Sequence, residues 1–397
     1  MADATPAPRV ALLLVSVGDL SGSGGTERQF TDLFQHLRRD SPGRANLVTS
    51  TAAVERLRQI GRLALLDDVI ALRLGPRPAH TKGGVLQLTA MLLAATLRHR
   101  WDVVHICQPT PVYVPYAAML RLLPRALRPR IAVTVVDCTL AHHLQSPLPP
   151  TDLYERQVVA AHRLYFRWTA LDGIYSWYRA FVDAARALEL VPGATLTAAP
   201  YCFTDTTRFS PSDKRPLVVY AGRLSSQKRP LLFVEAVASL LRRYPGLADG
   251  WQFAMYGAGP LESAVRDRIR ELRLDDRVTL MRSPEMAPVF AQSTLFVSTQ
   301  ALENFTSLAM LEAMAAGNAI IAENTGQTAD FVKDGENGVL VGIGTPDAFA
   351  DAMAAFIKDP ERHAAMAAAS RRLATDVHTV GNFAGDITAF WKSLVAR

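Results

Sequence analysis

Arg223 and Lys228 stand five residues apart in "YAGRLSSQKRPLLFVEAVASLLRRYP" (220–245), where an apolar run ends in glycine and a helical pattern begins. A guanidinium and an ammonium aimed at one helix start make a cradle for a diphosphate, because the fork takes two oxygens and the ammonium acts as a point charge. For either cation alone, surface solvation is the plain alternative. A second such place is "QALENFTSLAMLEAMAAG" (300–317), where Glu303 and Glu312 interrupt a stretch otherwise suited to burial. Thr306 or Ser307 can cap the helix that follows, and the amides of its first turn can hold a phosphate. Glu312, about a turn further in, can accept hydrogen bonds from vicinal hydroxyls such as those of a ribose. Glu303 then faces whatever is joined beyond the phosphates. A helix-dipole role for Glu312 and simple solvation of Glu303 are the structural alternatives, and neither explains the Arg/Lys turn upstream.

Two further turns repeat the strand, glycine, helix plan. Gly222 precedes the Arg/Lys pair, and Gly257 and Gly259 lead into a helix in "YGAGPLESAVRDRIREL" (256–272). Near the start, Gly22, Gly24 and Gly25 in "VGDLSGSGGTERQFTDLF" (17–34) let backbone approach a ligand at a helix N-terminus. That stretch does not match G-x-G-x-x-G, and a flexible surface loop is its alternative.

These residues need elements to hold them. Short apolar runs alternate with helical patterns throughout, the βαβ rhythm of an α/β protein with parallel sheets covered on both faces. Strands are expected at "VALLLVSVG" (10–18), "ANLVTS" (45–50), "DVVHIC" (102–107) and "IAVTVVD" (131–137). In the second half they are expected at "LVVYAG" (217–222), "WQFAMYG" (251–257), "RVTLM" (277–281), "TLFVST" (294–299) and "NAIIAE" (318–323). This count fits two sheets, and periodicity breaks near 193–216, so the expected domains are 1–200 and 201–380, with 381–397 a helix packing back toward the first. A ligand is expected in the cleft between them, beyond the carboxyl ends of the strands.

Composition narrows the function classes. The chain has 397 residues, 49% hydrophobic and 20% charged, enough to build cores and too ordered a mixture for a disordered protein. Its longest apolar runs are too short to span a bilayer, and "MADATPAPRV" lacks a secretory profile, so a cytoplasmic location is expected. Cys107, Cys138 and Cys202 are odd in number and far apart, which suits buried thiols better than disulfides or zinc ligands. Residues 1–200 carry 22 Lys+Arg against 15 Asp+Glu, or +7, and the remainder 21 against 22, or −1. Within the basic half, "MLRLLPRALRPR" (119–130) either rests on an anionic membrane surface or is a solvated helix end. No basic run is interleaved with stacking aromatics, so nucleic acid is not expected as a partner.

With the motifs in hand, the second half resembles the retaining nucleotide-sugar glycosyltransferases of the GT-B fold, family 4. That family carries a "GR-L-x-x-x-K" turn, a "G-x-G-P" turn and a paired-glutamate motif ending in "LEAMAxG"; here they are "AGRLSSQK", "GAGP" and "ENFTSLAMLEAMAAG", in order. "TGQTADFVKDGENGVLV" (325–341) is similar to the segment that follows, and the likeness is strong over about 215–345. It implies two Rossmann-like domains facing across a cleft, and metal-independent transfer of a sugar from a nucleotide diphosphate to a carbohydrate or lipid-linked acceptor hydroxyl. It further implies that Arg223 and Lys228 bind the diphosphate, Glu312 the ribose, and the amides at Ser307 and Leu308 the phosphates, with Gly222 and Gly257 also lining the donor site. Glu303 would approach the sugar, while Gly24 and Gly25 close over the donor. Eight residues separate Glu303 from Glu312 where the family has seven, so either Glu303 or Asn304 meets the sugar. Where the family often has His before Asp, this chain has Val136 before Asp137; His142 and His143 follow, as acceptor-side contacts or solvated loop residues. A nucleotide-sugar epimerase or phosphorylase, or a binding protein without catalysis, are the competing functions.

Overall fold

The computed structural model describes residues 7–15, 25–59, 63, 67–74, 81–108, 110–136, 165–283, 285–301 and 307–397. Contacts divide the chain into two compact units, Met1–Tyr201 with Val380–Arg397, and Cys202–Thr379.

In the first unit, short runs form β1 (Val10–Leu13), β2 (Ala45–Ser50), β3 (Val69–Leu72), β4 (Val103–Ile106), β5 (Arg130–Val135), β6 (Gly173–Ser176) and β7 (Thr195–Ala198), with the central strands buried and the edge strands β3 and β7 largely half-buried. They pair in parallel in the order β3-β2-β1-β4-β5-β6-β7. Continuous apolar strands of this kind belong to sheets covered by helices on both sides. The helices described between them are α1 (Gly25–Asp40), α2 (Thr51–Gln59), α3 (Lys82–His99), α4 (Val114–Leu120) and α5 (Arg179–Ala187).

The second unit holds β8 (Leu217–Ala221), β9 (Gln252–Tyr256), β10 (Val278–Met281), β11 (Leu295–Ser298), β12 (Ala319–Glu323) and β13 (Gly338–Val341) in the parallel order β10-β9-β8-β11-β12-β13. Its helices are α6 (Pro230–Arg243), α7 (Glu262–Glu271), α8 (Ala287–Gln292), α9 (Leu308–Ala315), α10 (Thr328–Phe331), α11 (Pro346–Lys358) and α12 (Pro360–Asp376). Phe233, Val237, Phe253, Phe349 and Met353, all fully buried, form part of the core between the sheet and the α6/α11 layer.

The last helix, α13 (Val380–Val395), belongs to the first unit. Trp391 Nε1 donates to Nδ1 of the buried His105 on β4 at 2.9 Å, and His105 Nε2 lies 2.6 Å from Thr134 Oγ1 on β5. Since Nδ1 accepts, the ring proton sits on Nε2 and is given to the threonine. Tyr175 OH donates to Asp386 Oδ2 at 2.5 Å, and the Phe390 ring lies 5.3 Å from that of Tyr175.

The sheets have more strands than the sequence announces: β3, β6, β7 and β13 were not foreseen. Each has four residues, and β6 and β13 begin with glycine. The glycines mark close approach, since a Cβ on Gly173 would lie 2.7 Å from Phe390 Cζ and one on Gly338 2.3 Å from the Ile320 carbonyl oxygen. β7 lies inside the stretch taken as the seam, so the first sheet extends further than the loss of periodicity suggested. Cys107 and Cys202 are buried and in no disulfide, while Cys138 falls outside the described residues.

Among the described residues three buried histidines couple this architecture to pH, His105 in the first unit and His363 and His378 in the second, with burial pushing His363 down to about 4. Burial pushes His105 down to about 3 and His378, whose Nδ1–H donates to the Cys202 carbonyl at 3.0 Å, down to about 4. The unfolded chain takes up these protons near 6.5 and the folded units do not, so stability is full above that pH and falls below it. At one proton each, the slope is about 1.4 kcal/mol per pH unit, or about 2 kcal/mol by pH 5 from His105 in the first unit and from His378 in the second, where His363 adds in the same direction. Urea unfolding near pH 7.5 and near pH 5 checks this; equal midpoints at both would contradict it.

Candidate functional site

In the second sheet the strand order reverses between β8 and β11, which are paired to each other. Loops leaving the carboxyl ends of two such strands splay apart and leave a crevice, the usual ligand position in an open α/β sheet. Both chemical stretches singled out in the sequence leave the sheet here, Gly222–Lys228 after β8 and Thr299–Ser307 after β11.

The Arg/Lys turn is held by backbone on one side and by side chains on the other. Gly222 N donates to the Tyr256 carbonyl at 3.0 Å, Leu224 N to that of Ala258 at 3.0 Å, and Leu261 N to that of Leu224 at 2.9 Å. The turns after β8 and β9 are thus laced together, and only glycine fits the seam. A Cβ on Gly257 would stand 2.0 Å from the Gly222 carbonyl oxygen, and one on Gly259 2.5 Å from that of Leu224. Gly257 therefore shapes the Arg/Lys turn by close packing. Gly222 has room, its nearest neighbours being the Tyr220 hydroxyl at 3.8 Å and Lys228 Cδ at 4.0 Å.

Lys228 ends a short 3-10 turn, Ser226–Lys228, and its ammonium donates to the Gln300 side-chain oxygen. Thr299 Oγ1 donates to the carbonyls of Lys228 and Arg229, both at 2.9 Å, and Ala301 N to that of Gln227 at 3.1 Å. Arg229 adopts a left-handed conformation (φ 42°) before Pro230. Its Nε donates to the Thr299 carbonyl at 2.8 Å and its guanidinium pairs with Glu323 at the end of β12. Such a backbone costs a non-glycine residue about 1–3 kcal/mol, so these bonds fix a turn that would otherwise relax. Arg223 is exposed and has no ion pair among the described residues. One cation is therefore fixed near β11, and the other is left to meet a ligand.

The second stretch delivers α9. Ser307 is its N-cap, yet the hydroxyl makes no capping bond. The opposite end is well supplied with donors: Asn318 Nδ2 reaches the Ala313 carbonyl at 2.9 Å, Lys214 Nζ the Ala316 carbonyl at 2.7 Å, and Arg371 the Ala315 carbonyl. Two cations at the carboxyl end, and an amino end without a capping bond from the Ser307 hydroxyl, leave the helix polarised with its positive pole at Ser307 and Leu308. Glu312 is 2% exposed, on the helix about 7 Å along the axis from Ser307. A carboxylate so buried persists only where it is paired or hydrogen-bonded.

Of the residues the sequence pointed to, Arg223, Lys228, Gly222, Gly257, Ser307, Leu308 and Glu312 lie on the turns and helix of this switch point. Gly25 opens α1 in the first unit, after β1. Glu303, Asn304, Gly24, Asp137, His142 and His143 lie outside the described residues. Thr299, Gln300, Arg229 and Glu323 were missed. The polar end of "TLFVSTQ" was the available signal for the first two, while nothing local marks the Arg229 and Glu323 partnership across 94 residues.

Residues 204–373 match the family model for glycosyl transferases group 1. Among curated relatives, the D-inositol 3-phosphate glycosyltransferase of Nocardia farcinica is 32% identical over 180 residues, covering 40% of this chain and 39% of that protein. The GDP-mannose-dependent alpha-(1-6)-phosphatidylinositol monomannoside mannosyltransferase of Mycolicibacterium smegmatis is 28% identical over 219 residues, covering 50% and 54%. The matches thus span from about two fifths to about half the length of these relatives. Among solved structures, Anabaena HepE in complex with UDP and glucose superimposes with a TM-score of 0.72 at 18% identity, covering 97% of this chain and 100% of that one. Sucrose-phosphate synthase from Thermosynechococcus elongatus gives 0.72 at 19%, covering 98% and 99%. At such identities the likeness is one of fold, and the two doubly wound parallel sheets are those of a GT-B protein.

Proposed function

We propose, from a second unit that belongs to glycosyl transferases group 1, that this chain moves a hexosyl group from a nucleoside-diphosphate sugar to an acceptor hydroxyl with retention at the anomeric carbon. The observation that carries this reading is the convergence at the β8/β11 switch point of Lys228, Arg223 and the positive end of α9, with Glu312 on the same helix. Breaking the bond between the anomeric carbon and the phosphate leaves cationic character on the ring and negative charge on the departing diphosphate. In this proposal Arg223, Lys228 and the amides at Ser307 and Leu308 receive that charge, so no metal is required. Glu312 accepts from the ribose hydroxyls, and Glu303 or Asn304 meets the sugar. Donor binding is further assigned to Gly24 and Gly25, and contact with the acceptor or sugar to Asp137 or His143.

The acceptor is assigned to the basic first unit, and glycolipid or cell-envelope polysaccharide assembly at the inner face of a membrane is the setting that uses its charge. The relatives support an acceptor rich in hydroxyls and bearing or adjoining phosphate, since their names specify an inositol phosphate and a phosphatidylinositol mannoside. Among the described residues no helix is long and apolar enough to cross a membrane.

The test is to incubate the protein with radiolabelled nucleotide sugars, with and without a lipid extract and free polyols, and to separate the products. Label passing to an acceptor only when one is present is the expected result. A donor sugar altered without acceptor would indicate an epimerase, and no turnover with any donor that binds would indicate a binding protein; either overturns the proposal.

A further inference from the structure

Helix α3 is unlike the other surface helices of the first unit. From Gly83 to Leu97 it has no charged residue, and its solvent side is apolar apart from Gln87, whose amide donates to the Arg73 carbonyl at 3.1 Å. Leu86 is 66% exposed and Leu97 46%, with Ala90 and Ala94 exposed between them on the same face. An outward stripe with this spacing has no core to face. α3 packs beside α4, joined by the 2.6 Å bond between Thr96 Oγ1 and Tyr116 OH. The apolar surface continues through Met119 near the end of α4 and Leu122 just beyond it, the latter 76% exposed.

Cations gather where these helices end. Arg98, Arg100, Arg121, Arg125 and Arg128 are all exposed. Arg100 and Arg128 line one depression of the surface with Leu127, which brings the end of α3 against the segment after α4. Between residues 69 and 136 there are nine Lys and Arg and a single acid. That acid, Asp102, is engaged by Arg9, whose backbone amide donates to it at 2.8 Å and whose guanidinium lies 3.7 Å away. Arg130 is answered by Asp172 at 2.8 Å, so the other arginines of the edge have no carboxylate of their own segment to meet.

We propose that this face, the outer side of α3 with the arginine-bearing end of α4, is a docking surface for an anionic phospholipid bilayer. Leucines of the stripe enter the boundary between headgroups and acyl chains, and the arginines meet lipid phosphates. Charge decides between occupants. A second copy seated by twofold symmetry would bring like charges together, and an acidic macromolecule would not call for exposed leucines. The surface lies wholly in the first unit and does not rest on the chemistry assigned to the second.

Flotation of the full chain with phosphatidylcholine vesicles, alone and with about one-third phosphatidylglycerol, tests the proposal. The protein is expected to float with the anionic vesicles at about 0.1 M salt, and less at about 0.5 M. A triple Arg121→Ala, Arg125→Ala, Arg128→Ala variant is expected to partition on the order of 100-fold less, at about fivefold per cation. A Leu86→Ser, Leu97→Ser variant is expected to lose at least about tenfold through its apolar contact. Circular dichroism and nucleotide binding by the second unit check that the variants are folded. Equal flotation of wild type and folded variants, no preference for anionic vesicles, or a leucine-dependent dimer on sizing without flotation would each overturn it. A chain that floats but transfers no sugar leaves this surface intact and removes the transferase reading.

Discussion

Replacing Lys228 with Ala is expected to lower kcat by about 100-fold to 1,000-fold while leaving the fold intact, since one charged donor lost from a developing anion costs about that much. The structure says why the position is sensitive. Lys228 is not a free surface lysine: its ammonium is held by Gln300, its carbonyl by Thr299, and the next residue is fixed to Thr299 and Glu323. A donor aimed in advance loses little freedom when the diphosphate departs. Arg223 is exposed and unpaired among the described residues, so Arg223→Ala is expected to raise KM as well as lower kcat, and Arg223→Lys to restore charge without the bidentate fork. Steady-state kinetics with the accepted donor checks both. Full activity in Lys228→Ala would remove the lysine from the mechanism.

The other large effect is structural and falls one loop away. Gly257→Ala would push a methyl group to 2.0 Å from the Gly222 carbonyl oxygen, and Gly259→Ala to 2.5 Å from that of Leu224. Both obstacles are backbone, so the Arg/Lys turn itself must move. Overpacking of this kind costs about 1–3 kcal/mol and sometimes more, and nucleotide binding is expected to be lost along with that stability. Gly222→Ala is the contrasting case, because its nearest neighbours are 3.8 and 4.0 Å away. It is expected to fold as the wild type does and to act, if anywhere, on the donor. Urea unfolding and nucleotide titration of the three variants separate these outcomes, and a fully stable, nucleotide-binding Gly257→Ala would contradict the packing account.

Much of this was legible in the residues, for reasons that differ by element. β2 and β8 were announced by apolar runs and bounded by polar residues, and both began where expected. The Arg/Lys turn was legible because charge at a helix mouth stands out against apolar flanks. What stayed hidden depends on contacts distant in sequence. β6 carries a glycine because Phe390, more than two hundred residues later, packs on it, and "GIYS" alone does not reveal that neighbour. Arg229 reads as one more basic residue until Glu323 is brought beside it. Gly257 reads from its place in a glycine turn as a donor-site residue, and the turn alone does not reveal its immediate neighbour, the Gly222 carbonyl. Lys214 and Arg371, which polarise α9 from its far end, come from places where neither suggests a site.

The most direct test of the central claim, that the β8/β11 switch point holds a nucleoside diphosphate, is calorimetric titration of the whole protein with UDP, GDP and ADP beside an Arg223→Ala, Glu312→Ala variant. One of the three is expected to bind the wild type, identifying the base, and to lose that binding in the folded variant, since the variant lacks both the diphosphate clamp and the ribose acceptor. Failure of all three to bind the wild type, or undiminished binding by the variant, would contradict the site and with it the transferase reading.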